Sequence, residues 1–382
     1  MDTALFLNGL EGLGIGFYTG VPDSLLAPLC DTLYERFGVA GRHIVAANEG
    51  AAVGLAAGHY IATGTPALVY LQNSGVGNAV NPITSLLDPK VYGIPCVFVV
   101  GWRGEPGVHD EPQHVFQGEI TPALLSLIGL RTFVMSKDTS LQDFEQMLSE
   151  SRSLLKQGKS VAYLMRKGTL TGGSKVEYPG RAVMLRETAL RLLLTHAGEN
   201  DVFVCTTGKT SREVYELREA LGQGHDRDFL TVGSMGHASM IALGIAKERP
   251  HQTVWCLEGD GAAVMHLGSL TVEAQCGCKN LIHVVLNNGA HESVGGMPVA
   301  CGNVSFMALA RAAGFESCFF AEDESSLQKV LPRIREVSGK QPCFVEIALG
   351  QGSRADLGRP KTTPRENLQG LMAYLNAQEG KA

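Results

Sequence analysis

The chain alternates short runs of apolar and β-branched residues with Ala- and Leu-rich segments of helical period. Most of the short runs end in Gly, Asn, Asp or Ser. We predict strands at GIGFYTG, HIVAAN, PALVYLQNS, PCVFVVGW, TFVMS and SVAYLMR in the first half, and at DVFVCTTG, DFLTVG, TVWCLEGD, LIHVVLNN and PCFVEIA in the second. Strands that alternate with helices form parallel sheets covered on both faces. The pattern therefore predicts an α/β protein with two mostly parallel sheets, each flanked by helices.

The two halves are separated by a stretch without a helical or strand period. It begins with KGTLTGGSKVEYPGR, and we interpret residues 167–183 as a linker between domains 1–166 and 184–350. After residue 350 the chain becomes polar and rich in Gly, Pro and Arg. This segment, 351–382, is either a frayed tail or a segment that closes over a site.

Composition excludes several classes of protein. The 382 residues are 45% hydrophobic and 18% charged, with a formal net charge of −6. No basic field favours nucleic acid, and no apolar run or basic N-terminal region favours a membrane span or a signal peptide. Nine cysteines without a CxxC pair are typical of free thiols in a reducing cytoplasm. We therefore expect a cytoplasmic protein that binds neither nucleic acid nor membrane.

Oxygen-bearing side chains end two strands of the second half. Asp260 lies in GDG after the run TVWCLE, and Asn287 ends the run LIHVVLN, with a βαβ unit between them. Neighbouring parallel strands end at the same edge of a sheet, about 5 Å apart. A carboxylate, an amide oxygen and a carbonyl near Gly289 would suit Mg²⁺, and Gly259 and Gly261 leave amides free for an anion. By itself GDG is most often only a tight turn, and it is the double asparagine at this spacing, between two strands, that favours a metal site.

GDG followed at this distance by NN resembles the metal signature of thiamine diphosphate enzymes. The resemblance implies that Asp260, Asn287 and the carbonyl of Gly289 hold Mg²⁺ against the cofactor diphosphate. It also implies a pyrimidine-type domain at 1–166 and a diphosphate-type domain at 184–350, with no third domain between them.

The segment HIVAANEGAAVGLAAGHYIATG places Glu49 after a strand, at the start of an apolar helix. A carboxyl group there should have a raised pKa. The alternative is a solvated Glu favoured by the helix dipole. The family resemblance implies that Glu49 binds N1′ of the aminopyrimidine ring and activates the cofactor.

Further cofactor contacts are implied by three other segments, QNSGVGN (72–78), TTGKTS (206–211) and GSMGHASMIALG. In the last of these, Met235 matches the apolar residue that holds the cofactor in its V shape, although a core methionine is the ordinary alternative. The remaining cofactor-binding predictions are Ser74, Gly75, Gly208, Lys209, Thr210, Ser234 and Ala262.

Five segments resemble the phosphonopyruvate decarboxylase branch of this family, with sulfopyruvate decarboxylases as close relatives. They are GVPDSLL, WRGEPGVHDEPQH, TTGKTSRE, GSMGHAS and RADLGRP. The resemblance implies a small 2-oxo acid substrate that carries a phosphonate. Arginine pairs well with such oxyanions, and we predict substrate contacts from Arg103, Arg354 and Arg359, with Lys209 and Arg212 as further cations. Asp23 and Ser24 are candidate substrate contacts, or a turn and helix cap.

Histidines are the candidate proton carriers. His109 and His114 flank DEPQ in a polar segment and are our catalytic candidates, while His237 and His291 occur in motif segments and His266 is expected to be structural. The family resemblance also implies that different subunits supply Glu49 and Asp260, in a homodimer or homotetramer with active sites at the subunit interface. Sulfopyruvate decarboxylation and carboligation remain open as alternative activities. A dinucleotide-binding regulator is excluded, because its glycine-rich turn should follow a strand, whereas the glycines of GLGIGF precede one.

Overall fold

The computed structural model describes residues 1–173, 175–176, 182–300, 302 and 304–379 of the chain. Two compact units divide the chain: Met1–Tyr178 with Ser293–Ala300, and Pro179–Glu292 with Cys301–Ala382. Within the described residues each unit contains one six-stranded sheet of parallel strands flanked by helices, which confirms the predicted fold class. Residues 174 and 177–181 of the predicted linker, and 380–382 of the predicted tail, lie outside the described residues.

The first unit has the strand order β2-β1-β3-β4-β6-β5. Its strands are β1 (Tyr18–Gly20), β2 (His43–Val45), β3 (Ala67–Gln72), β4 (Cys96–Gly101), β5 (Arg131–Met135) and β6 (Val161–Met165). Its helices are α1 (Thr3–Glu11), α2 (Ala27–Phe37), α3 (Glu49–Thr63), α4 (Val76–Pro82), α5 (Pro112–Leu127) and α6 (Leu141–Lys156). Strands β3, β4 and β6 are almost entirely buried, because helices cover both faces of the sheet.

Local capping explains why α3 begins and ends where it does. The side chain of Asn48 accepts a hydrogen bond from the Ala51 amide at 2.9 Å, which satisfies a free amide of the first turn. Gly64 ends the helix in the left-handed conformation, at φ 71°. Glu49 therefore occupies the first helical position, a short distance beyond the end of β2.

The second unit has the strand order β11-β12-β10-β9-β7-β8. Its strands are β7 (Val202–Cys205), β8 (Asp228–Leu230), β9 (Val254–Gly259), β10 (Leu281–Asn287), β11 (Ser317–Ala321) and β12 (Cys343–Ala348). Its helices are α7 (Arg186–His196), α8 (Lys209–Ala220), α9 (Ala238–Glu248), α10 (Asp260–Met265), α11 (Ser269–Cys276), α12 (Phe306–Ala313), α13 (Glu324–Val337) and α14 (Pro364–Glu379). Among the described residues, no helix is long and apolar enough to cross a membrane.

The C-terminal segment contains a helix that packs on the edge of the second sheet. Asn367 of α14 accepts a hydrogen bond from the Leu230 amide at 3.0 Å and donates one to the Asp228 carbonyl at 2.8 Å. These bonds satisfy backbone groups of edge strand β8. Residues 364–379 of the predicted tail are thus anchored within the second unit.

Candidate active site

The tips of β9 and β10 bring three predicted metal ligands together. The strands are parallel neighbours, and Leu286 pairs with Gly259, so Asn287 stands level with Asp260. Asp260 is only 3% exposed. Its carboxylate accepts hydrogen bonds from the Gly261 amide at 2.7 Å and from the Gly289 amide at 2.6 Å. The loop after β10 therefore folds back onto the aspartate.

These groups fit a magnesium ion that carries a diphosphate. Asp260 offers a carboxylate, Asn287 an amide oxygen and Gly289 a backbone carbonyl, which is an all-oxygen set. The side-chain amide of Asn287 donates to Glu346 at 2.9 Å, which leaves its oxygen for another partner. Burial raises the pKa of Asp260 to about 6 despite the hydrogen bonds from Gly261 and Gly289. A cation beside this carboxylate would offset the cost of burying its charge.

Glu292 anchors the loop that carries Gly289. One carboxylate oxygen accepts from Lys209 at 3.0 Å, and the other accepts from Arg186 at 2.9 Å and from Asn288 at 2.8 Å. Burial alone would raise the pKa of Glu292, but the charges and hydrogen bonds of Arg186 and Lys209 outweigh it and lower this pKa. Lys209, a predicted cofactor-binding residue, is thus joined through Glu292 to the loop that carries Gly289.

Glu49 is a buried carboxyl group in the first unit, only 4% exposed. Its Oε2 accepts a hydrogen bond from the side chain of Asn78 at 2.8 Å. Burial raises its pKa, although the bond from Asn78 acts in the opposite direction. A Cβ placed on Gly75 would lie 2.1 Å from Glu49 Oε1, so only glycine fits beside this carboxyl group. A raised pKa at a fixed position suits a group that shares a proton with a ring nitrogen.

Arg103, which follows β4, forms the centre of a polar cluster in the first unit. Its guanidinium binds both carboxylate oxygens of Asp110, at 2.8 and 2.5 Å, and donates to Ser24 Oγ at 3.1 Å. Asp23 is fully buried, and burial raises its pKa to about 6 although Arg103 lowers it. Among the described residues nothing donates a hydrogen bond to Asp23 Oδ1. The cluster contains an arginine, a hydroxyl group and a carboxyl group that can hold a proton near neutral pH.

Of the two candidate catalytic histidines, only His114 is enclosed. It is 7% exposed at the start of α5, and its Nδ1 has no hydrogen-bond partner within the described part of the chain. Burial and the charge of Arg103 lower its pKa, which favours the neutral form of the ring. His109 is exposed. The geometry favours His114 over His109 as a group that orders a proton.

Both units match models of one enzyme family. Residues 3–125 match the thiamine pyrophosphate enzyme, N-terminal TPP binding domain, and residues 206–347 match the corresponding C-terminal TPP binding domain. The chain is 35% identical to a phosphonopyruvate decarboxylase of Streptomyces viridochromogenes, over 98% of this chain and 95% of the relative. The chain belongs to the thiamine pyrophosphate enzymes.

Two further relatives of this thiamine pyrophosphate enzyme cover nearly its whole length. A phosphonopyruvate decarboxylase of Streptomyces hygroscopicus is 34% identical over 94% of this chain and 90% of the relative. A sulfopyruvate decarboxylase of Methanosarcina acetivorans is 25% identical over 90% of both chains. The protein is therefore a carboxy-lyase with thiamine diphosphate as its cofactor, as the sequence predicted.

The remaining predicted cofactor-binding residues of this thiamine pyrophosphate enzyme lie at the starts of helices and in the turns that precede them. Gly208, at φ 100°, directly precedes Lys209 at the start of α8, with Thr210 buried behind it. Ser234 is the only described non-glycine residue with a positive φ, 47°, and Met235 beside it is half-buried. Further positions are Ser74 and Gly75 in the turn before α4, and Gly259, Gly261 and Ala262 around the start of α10.

The predicted cations of the tail take part in contacts within the second unit. Arg354 forms ion pairs with Glu187 at 2.9 Å and with Glu216. Arg212 donates to the backbone carbonyl of Gly358 at 2.6 Å. Arg359 is exposed. In the described structure Arg354 and Arg212 thus hold the tail to the unit, and their roles toward substrate stay predictions.

Some residues of the site were not found from sequence. Arg186 and Glu292 are 106 positions apart, and Asn78 and Glu49 are 29 apart. Asn78 does occur in the motif segment QNSGVGN, and Glu292 follows the predicted ligand Gly289 by three residues, which was the only available signal. His291 is buried and its pKa is lowered to about 4 by burial, whereas His237 is exposed beside His266, at 4.6 Å between ring centroids.

Proposed function

We propose that this enzyme converts 3-phosphonopyruvate to phosphonoacetaldehyde and CO₂ with Mg²⁺ as its metal, in phosphonate biosynthesis. The observation that carries the substrate is the 35% identity over 98% of the chain to a phosphonopyruvate decarboxylase. In this reaction the bond between the carboxylate and the keto carbon breaks, and the keto carbon later takes a proton. Bound thiamine diphosphate supplies the electron sink for that carbon.

Each candidate site residue has its own role in the proposed reaction. Asp260, Asn287 and the Gly289 carbonyl would hold Mg²⁺ and with it the diphosphate. Glu49 would hold a proton at the aminopyrimidine nitrogen, because its buried carboxyl has a raised pKa. Arg103 would orient the phosphonate with Ser24, and His114 would order the proton that the product receives. The buried setting of Glu49, Asp260 and His114 excludes water from their reactive atoms.

Two copies of the chain are proposed to complete each active site, in a homodimer or a homotetramer. The helix that begins with Glu49 supports this proposal, because its outer face is apolar and exposed. Leu55 is 37% and Ile61 73% exposed, and a Cβ added at Gly54 or Gly58 would meet no atom of a neighbouring element among the described residues within 4 Å. Sulfopyruvate decarboxylase relatives named as alpha and beta subunits also match parts of the chain. The cytoplasmic location stays a prediction.

Sulfopyruvate is the second candidate substrate, since the Methanosarcina relative matches over 90% of its length. A sulfonate carries one negative charge where a phosphonate carries up to two, so the charge around Arg103 should discriminate between them. A CO₂-release assay distinguishes the two candidate substrates. It compares phosphonopyruvate, sulfopyruvate and pyruvate, each with and without thiamine diphosphate and Mg²⁺. Preference for phosphonopyruvate with aldehyde as the product supports the proposal, and a carboligation product would refute it.

Two variants test the proposed roles in the same assay. Glu49→Gln and Asp260→Asn should each lose at least about 100-fold in kcat/KM, because proton sharing and metal binding are removed. Exposed Glu35→Gln and Asp138→Asn are matched controls and should keep wild-type turnover. Unchanged turnover in Glu49→Gln or Asp260→Asn would refute the role given to that residue.

A further inference from the structure

The interior of the second unit contains a polar cluster that the proposed reaction does not use. Cys256 and Glu258 lie on β9, His283 on β10 and Glu273 on α11. The side chains of Glu258, Glu273 and His283 are at most 2% exposed. Central strands of a parallel sheet are normally apolar, because both faces are covered. Burying two carboxyl groups and an imidazole therefore costs free energy unless a binding partner stabilises them.

The cluster has a compact geometry. His283 pairs with Cys256 across β9 and β10, so the two side chains lie on one face of the sheet. The ring Nδ1 of His283 is 2.9 Å from Glu273, and its Nε2 is 3.2 Å from Glu258. The sulfur of Cys256, a carboxylate oxygen of Glu258 and a ring nitrogen of His283 all lie within 4.8 Å of one another.

Several buried polar atoms of the cluster have no hydrogen-bond partner among the described residues. They are Glu258 Oε1, Glu273 Oε1 and His283 Nε2, together with Nε2 of neighbouring His266. His283 Nε2 lies 3.2 Å from a Glu258 carboxylate oxygen, close enough for an ion pair when the ring is protonated. A cavity of about 10 Å³ is lined by these four residues and five others, with Cys256 behind its wall rather than on it; it has room for about one water molecule beside the cluster. Buried polar atoms are almost always paired, so the unpaired oxygens of Glu258 and Glu273 and the unpaired nitrogen of His266 point to a missing partner.

We propose that this cluster binds one thiophilic divalent transition-metal ion, such as Zn²⁺, through Cys256 Sγ, the Glu258 carboxylate and His283 Nε2. Thiolate, imidazole and carboxylate together are typical zinc ligands, whereas Mg²⁺ prefers oxygen. Glu273 stands where an outer carboxylate holds the second ring nitrogen of a metal-bound histidine. Ligand atoms around a tetrahedral ion are roughly 3.5 Å apart, so small side-chain rotations from the present spacing complete the site.

The charge of the cluster is the same with the ion as without it. Burial alone would lower the pKa of His283, but Glu273 and Glu258 outweigh it and raise this pKa to about 10. Burial also raises the pKa of Cys256 well above its usual value. A divalent cation would displace one proton from the imidazolium and one from the thiol, and both protons pass to solvent. The two protons that leave carry the same total charge as the divalent cation that replaces them.

The cluster lies on the two strands that also carry the proposed magnesium ligands, and this position indicates what the ion would do. Glu258 lies two residues before Asp260, and His283 lies four residues before Asn287. An ion shared by β9 and β10 would therefore clamp together the two strands whose tips carry the proposed magnesium ligands. The site does not depend on which 2-oxo acid the enzyme uses.

Cobalt is the probe for this test, because a thiolate bound to Co²⁺ gives a near-ultraviolet charge-transfer band. The full chain is produced in cobalt-supplemented medium, stripped of loosely bound metal and measured without thiamine diphosphate. We expect one cobalt per chain and a thiolate band that excess Mg²⁺ does not remove. The all-oxygen site at Asp260 cannot give such a band. Its absence would overturn the proposal.

Matched cysteine variants locate the site. Cys256→Ala should lose the band, whereas Cys343→Ala, at an equally buried cysteine on β12, should keep it. Cys276→Ala should also keep it; loss there, with retention in Cys256→Ala, would assign the metal to the surface and refute the site. X-ray absorption of the wild-type protein grown with zinc needs no variant to fold. A first shell with one sulfur is expected, and a shell of oxygen and nitrogen alone would contradict the proposal.

Discussion

The backbone amide of Gly289 donates a hydrogen bond to Asp260 Oδ2 over 2.6 Å. This bond joins the loop after β10 to the first residue after β9. Gly289 adopts φ 70°, a left-handed conformation that glycine reaches without strain. The tight turn thus presents the Gly289 amide to Asp260. This contact brings the loop after β10 to the carboxylate that we propose as a magnesium ligand.

Gly75 tests how closely Glu49 must be positioned. A Cβ at Gly75 would overlap Glu49 Oε1, whereas a Cβ at Gly77 would meet nothing within 4 Å. Gly75→Ala should therefore displace the carboxyl group and lower kcat by about 100-fold, since an error near 1 Å can have that effect. Gly77→Ala, two residues later in the first turn of α4, is the matched control and should keep wild-type kcat. Steady-state CO₂ release measures both, and equal activity in the two variants would disprove this account of Gly75.

Asp23 should make stability depend on pH. Its folded-state pKa is about 6, raised by burial from 3.8, so the folded state binds the proton more tightly. The stability that Asp23 contributes is therefore present below pH 4 and is lost as pH rises to 6. Asp23→Asn has no charge and should be about 3 kcal/mol more stable than wild type at pH 7.5.

Thermal unfolding of the cofactor-free protein at pH 5 and 7.5 checks this expectation. The advantage of Asp23→Asn should be smaller at pH 5, where the wild-type carboxyl is largely protonated. Exposed Asp138→Asn is the control and should match wild type at both values. A melting temperature of Asp23→Asn below that of wild type at pH 7.5 would argue against burial as the source of the shift.

Arg103 should discriminate between substrates with and without the phosphonate. Lysine at this position cannot form the fork that binds Asp110 and still reach Ser24. We expect Arg103→Lys to raise KM for phosphonopyruvate at least about 10-fold, with little change for pyruvate. Arg131→Lys, at an exposed arginine paired with Glu150 at 2.7 Å, is the control. Equal losses for both substrates would show that Arg103 supports the fold rather than the phosphonate.

Glu292 should affect cofactor binding rather than chemistry alone. Glu292→Gln removes the charge shared by Lys209 and Arg186 and loosens the loop that carries Gly289. We expect about a 10-fold rise in the Kd of thiamine diphosphate with Mg²⁺, in line with the loss of a hydrogen bond to a charged group. Titration calorimetry measures this value, with exposed Glu316→Gln as the control. An unchanged Kd would exclude the anchoring role.

The exposed outer face of α3 should be the surface on which two copies of the chain associate. Gly58→Glu adds a charged side chain where the chain itself leaves open space, so the fold of the single chain should persist. If copies pack on this face, the variant should sediment as a monomer and lose most activity, because no second subunit completes the site. Ser149→Glu on the exposed side of α6 is the control. A fully active Gly58→Glu monomer would rule out shared active sites.

The adjacency of Asp260 and Asn287 was predictable because a βαβ unit places consecutive parallel strands side by side. The burial of Glu49 was predictable from the apolar helix that follows it. By contrast, no local pattern shows that Glu292 binds Arg186 and Lys209. Nor does a local pattern show that Arg354 in the tail pairs with Glu187, 167 positions away.

The sequence by itself determined the alternation of strands and helices, the two parallel sheets and the oxygen side chains at two strand tips. These follow from local periodicity and turn residues, which act over a few positions. Only the tertiary structure decided which charges are paired, that Gly75 must leave room for Glu49, and that Cys256, Glu258, Glu273 and His283 meet in one buried cluster. Such contacts depend on packing between elements far apart in the chain, and packing is a property of the whole fold.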